Sequence, residues 1–127
     1  MQEIPVKTEL RKHSAVHYKG KIIIFGGEDK QYNELNQVDI FNLKTEEYRK
    51  AVVSGVKPSP MKCHSATVVV EMGIMLVFGG TPNAKGAVYS LDLRRMIWSR
   101  LNNVFYDRVG HSASLICNSV YLYGGYQ

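Results

Sequence analysis

Three of the four histidines in this chain share one setting: His13-Ser14-Ala15, His64-Ser65-Ala66 and His111-Ser112-Ala113. Imidazole is a common metal ligand, so the recurrence first raises a metal centre. The spacing argues against it. Histidines at equivalent positions of successive units stand at matching points around an axis, and each is expected to bond neighbouring backbone at a strand start. His17 is isolated and reads the same way. A diglycine follows each copy, at Gly26-Gly27, Gly79-Gly80 and Gly124-Gly125. Such pairs could cradle phosphate, but no glycine-rich loop here opens a helix and no Gly-Lys-Ser/Thr occurs. Their expected use is structural, because glycine allows positive φ and close backbone approach. Cys63 and Cys117 form no Cys-x-x-Cys, and no Gly-x-Ser-x-Gly or His-Glu-x-x-His is present. No catalytic set, cofactor or metal is therefore expected.

The elements that must position these marks are strands. After each His-Ser-Ala comes a short apolar run, a two-residue turn, and a second run ending at the diglycine. The runs are 15–18 and 22–25, 66–70 and 74–78, and 113–117 and 120–123. β-Branched and aromatic runs joined by such turns are hairpins. The runs are almost continuously apolar, so both faces of these strands are expected to be buried. Two further strands follow in the first two units, 38–43 with 47–53 and 88–93 with 97–101. Residues 4–7 read as an outer strand of a preceding unit. Cys63 precedes the first strand of its unit and Cys117 ends the first strand of the next. Side by side and parallel, those strands hold the thiols about 20 Å apart, beyond disulfide reach.

Composition sets the outer limits. The 127 residues are 45% hydrophobic and 21% charged, with net charge +5. That fits one folded domain. No apolar run approaches the ~20 residues of a membrane helix. The opening Met1-Gln2-Glu3-Ile4-Pro5 does not read as a signal peptide, so a cytoplasmic or otherwise intracellular setting, cytoskeletal or nuclear included, is expected. The positive charges form no run of five and no nucleic-acid signature, which argues against a nucleic-acid partner.

Four strands per unit and a period of about 50 residues resemble the kelch repeat of β-propellers. The resemblance covers essentially the whole chain. Tyr48 and Trp98 occupy the family's tryptophan position, while Phe41 and Leu91 replace the tyrosine seven residues earlier. The fold class implied is all-β: kelch-type blades of four antiparallel strands in an incomplete ring. Residues 1–127 then hold blade 1 over about 11–53, blade 2 over about 61–102 and half of blade 3 over about 108–127, within a single partial propeller. Residues 53–60, with Gly55, Pro58 and Pro60, resemble the inter-blade linkers of the family. Tyr48 and Trp98 are expected as wedges between blades.

The resemblance implies protein–protein interaction by a scaffold whose loops on one face bind partners. Those loops are 28–36, carrying Glu28 and Asp29, and 81–86. Arg11, Lys12, Lys62 and Arg108 precede the inner strands. Comparable positions in kelch adaptors of ubiquitin ligases bind acidic motifs, so Arg11, Lys62 and Arg108 are candidate contacts, with Arg108 in the best register. Two rival readings stand beside this one: a structural component of a cytoskeletal or ciliary assembly, and a fragment of a kelch-type copper oxidase. A propeller has 4–8 blades. The ring is thus expected to close by further blades of a longer protein, by self-association, or through a partner chain.

Overall fold

The computed structural model describes residues 12–81 and 88–101, together with the backbone strands 112–116 and 119–123. Among these residues every regular element is a strand. β1 (Ser14–Tyr18), β2 (Lys21–Phe25), β3 (Val38–Asn42) and β4 (Tyr48–Lys50) form a sheet in sequence order. The β1–β2 register sets Ser14 opposite Phe25 and Tyr18 opposite Lys21. Its turn is Lys19-Gly20, with φ of 46° and 75°, the double-positive geometry that matches strand twist in a two-residue hairpin. β3 lies antiparallel to β2, with Ile40 facing Ile23, and Tyr48 of β4 faces Phe41.

The second sheet repeats this plan with β6 (Lys62–Val69), β7 (Ile74–Thr81), β8 (Val88–Asp92) and β9 (Ile97–Leu101). β10 (Ser112–Ile116) and β11 (Ser119–Tyr123) form a third hairpin. β1 and β10 both lie beside β6, so the first strands of the three units are neighbours. The β3–β4 and β8–β9 turns use one chemistry. Asn42 Oδ1 accepts the N–H groups of Lys44 and Thr45, and Asp92 Oδ1 those of Arg94 and Arg95. Glu46 and Met96 then close the turns at φ of 60° and 55°, bonding back to the carbonyls of Asn42 and Asp92.

The core lies between the first two sheets. Ile23 and Phe25 of one pack with Met75, Val77, Leu91 and Trp98 of the other. The Trp98 ring centroid is 4.9 Å from that of Phe25, and the indole is 1% exposed. Burying a side chain of this size stabilises by about 2–3 kcal/mol.

Four features depart from the sequence reading. β1 is not buried on both faces: Ala15 and His17 are exposed while Val16 packs on the core, because no described element covers its other face. β4 is shorter than 47–53. Ala51 still bonds the Val38 carbonyl, but Val52 turns out, 91% exposed. The segment read as linker contains a strand, β5 (Ser54–Gly55), paired parallel to Ile97–Trp98 of β9. It is the one parallel pairing among the described strands. Cys63 lies inside β6 rather than before it. At φ 58° it drops out of the β6–β7 ladder and donates its N–H to the Lys12 carbonyl beside β1. It is a free thiol, and Cys117 lies outside the described residues, as does the outer strand expected at 4–7.

Candidate functional site: the diglycine rim

The strand directions place Gly26-Gly27, Gly79-Gly80, the 28–36 loop and the starts of β1 and β6 at one end of the sheets. The tight turns lie at the other. Close packing at the rim explains the glycines. A Cβ on Gly26, at φ 69°, would lie 2.7 Å from His64 Cε1 and 2.9 Å from the Met61 carbonyl. Gly27 donates its N–H to that carbonyl at 2.8 Å. Gly79 and Gly80 also have positive φ, of 67° and 101°.

His64 is buried beside this crossing. Its Nε2 is 2.9 Å from Ser14 Oγ, and its ring meets Phe25 edge-on at 5.1 Å. The histidine of one unit thus bonds the serine of the unit before it, a side chain in a neighbouring sheet. His13 is exposed at the rim, with its pKa drawn below the ordinary value by partial desolvation. Among the described residues no three His, Cys, Asp or Glu side chains gather to hold a metal. Tyr48 donates its hydroxyl to Asp39 within its own sheet. Burial first, and then that carboxylate, raises the phenol's pKa.

The rim charges are organised around one acid. Glu28 is 1% exposed, with Lys62 Nζ at 2.7 Å and Lys12 Nζ at 3.4 Å. Lys62 also reaches Glu34 at 3.4 Å. The bond from Lys62 holds the Glu28 pKa below its ordinary value, and the same contact raises that of Lys62. Asp29 shapes the loop: Oδ1 accepts the N–H groups of Gln31 and Asn33, and Oδ2 the Asn33 amide. Bridges from Glu28 to Glu34 and from Leu35 to Met61 close its base.

The candidate contacts named from sequence therefore separate. Lys62 and Glu28 bond each other, and Asp29 folds the loop. Arg11 and Arg108 lie outside the described residues, as do His111, Gly124 and Gly125 and most of the 81–86 loop. Lys30, Gln31, Tyr32 and Asn33 form the exposed tip, with Tyr32 66% exposed at φ 64°. Glu34 and Tyr32 carry no mark in the sequence, and Lys12 stands there among the strand-start cations but not among the candidate contacts. An acid directly after one diglycine and a lysine before the next His-Ser-Ala were the only cue to the ion pair.

A family model described as the KLHDC2/KLHL20/DRC7 Kelch-repeats domain matches residues 12–127. Acyl-CoA-binding domain-containing protein 4 of Arabidopsis thaliana is 34% identical over 109 residues, which cover 82% of this chain and 16% of that protein. Host cell factor 2 of Homo sapiens is 31% identical over 134 residues, covering 90% of this chain and 17% of its own. Kelch domain-containing protein 3 of Rattus norvegicus is 28% identical over 120 residues, covering 89% and 31%. The chain thus spans less than a third of the length of these relatives.

Proposed function

Because the chain belongs to the kelch-repeat family, we propose that it is a non-catalytic protein-binding module, working inside the cell, whose diglycine rim receives an acidic segment of a partner. One observation carries this reading. The 28–36 loop is held in shape by Asp29 and by the Glu28–Lys62 pair, while its tip, residues 30–33, stays exposed. A loop ordered before binding loses little entropy when it binds. An exposed tyrosine on such a loop offers a large contact area with few rotatable bonds.

Lys62 sits between two carboxylates, so an acidic ligand is expected to meet Arg11, Arg108 and the half-exposed Lys12 first. An arginine holds a carboxylate through two parallel bonds. The test is binding of an Asp/Glu-rich peptide library to the full chain, read by fluorescence polarisation against neutral peptides. Acidic peptides should bind, weaken as salt rises, and lose about tenfold affinity with Tyr32→Ala or Arg108→Ala. Equal binding by both variants, or none above the neutral control, overturns the proposal.

A further inference from the structure

At the end of the sheets opposite the rim, the Lys19-Gly20 turn and the β8–β9 turn border a cavity of about 270 Å³. Leu93 and Met96 supply part of its apolar wall, and Tyr18, Lys19, Lys21 and Arg94 supply polar groups. No carboxylate among the described residues lines it, and none of its three cations is ion-paired to a described acid. Asp92, in the same turn as Arg94, has Oδ1 engaged by the backbone N–H groups of Arg94 and Arg95.

The phenol is the second observation. Tyr18 is 6% exposed, and its hydroxyl has no hydrogen-bond partner among the described residues. It comes from the first sheet and Arg94 from the second, yet they converge: a Cβ on Gly73 would lie 3.0 Å from both the Tyr18 hydroxyl and Arg94 Nε. Lys19 Nζ stands 5.4 Å over the Tyr18 ring centroid. A buried hydroxyl is normally satisfied. Clustered cations with no described carboxylate lining the cavity attract an anion.

We propose that this cavity binds an oxyanion, a phosphate or carboxylate group on a small organic body, through Arg94, Lys19, Lys21 and the Tyr18 hydroxyl. The site lies away from the rim and does not depend on the reading of it. Guanidinium and ammonium donors make charge-assisted bonds to such oxygens, and the size suits a group smaller than the occupants of typical ligand pockets, which start at about 300 Å³.

The experiment is an NMR titration of the ¹⁵N-labelled full chain with inorganic phosphate and, separately, acetate, at ionic strength matched with chloride. The expected result is saturable shifts at the amides of Lys19, Gly20 and Arg94 below about 50 mM anion. Saturation by phosphate alone identifies a phosphorylated ligand, and saturation by acetate identifies a carboxylate. Affinity should fall about tenfold or more in Arg94→Gln with Lys21→Gln, fall less in Tyr18→Phe, and hold in the control Lys57→Gln. Non-saturating shifts with both anions, or equal affinity in the double variant, overturn the proposal.

Discussion

At Trp98 the core of this molecule rests on one ring between two sheets, against Phe25 at 4.9 Å and edge-on to Tyr89 at 6.4 Å. Trp98→Ala leaves a cavity that neither sheet can fill alone, and should cost about 3–5 kcal/mol in urea unfolding. The native protein should show the blue-shifted emission of a buried indole. Glu28 makes stability pH-dependent. Its pKa in the fold lies below the ordinary 4.5, so its pairing with Lys62 stabilises above that value and is lost as pH falls through the lowered folded pKa. Lys62, raised above 10.5, contributes below that value and loses its part as pH climbs through the higher folded one. Denaturation midpoints followed from pH 7 to 3 should drop at the acid end, and Glu28→Gln should flatten that limb. An unchanged limb would remove Glu28 from the account.

At the scale of elements, what could be read in sequence was what repeats. His-Ser-Ala, the diglycines and the apolar pairs placed the hairpins and the inner strands, since each mark recurs where the same packing recurs. The short strand at Ser54–Gly55 was not legible. Two residues carry no period, and glycine with nearby prolines signals a linker in any setting. Its cause is steric and distant in sequence: Val56 donates to the Trp98 carbonyl at 2.9 Å, and a Cβ on Gly55 would meet that oxygen at 2.2 Å. The Lys62–Glu28 pair was hidden for a related reason. Each residue stands out singly in the sequence, but a loop's path decides which charges meet. Gly55→Ala should therefore detach β5 and destabilise by more than about 1 kcal/mol, with faster amide exchange at Val56. Gly20, at φ 75° with open space around it, gives the comparison. Gly20→Ala bears only the backbone penalty of about 1–2 kcal/mol and should leave exchange at Val56 unchanged.

For the whole molecule, the question is which surfaces meet further chain. The outer edge strand β4 carries exposed Arg49 and Lys50, and charged side chains on an edge discourage strand pairing. Growth is thus expected face to face, as in a stacked repeat array. Light scattering coupled to gel filtration should show self-association of the chain studied alone, or a requirement for a partner. A dilute, monodisperse monomer that binds no hydrophobic dye would contradict this. The parallel clip of Ser54–Gly55 on Ile97–Trp98 also sets an order of events during synthesis. The segment leaving the first sheet cannot reach its place until the last strand of the second has been made. At about 5–20 residues per second that is a wait of several seconds. During that interval the first sheet has emerged from the ribosome while its exit segment and the Phe25 side of its core remain uncovered. The newborn chain is then most open to chaperones, and the arrival of Trp98 closes the core and the clip together.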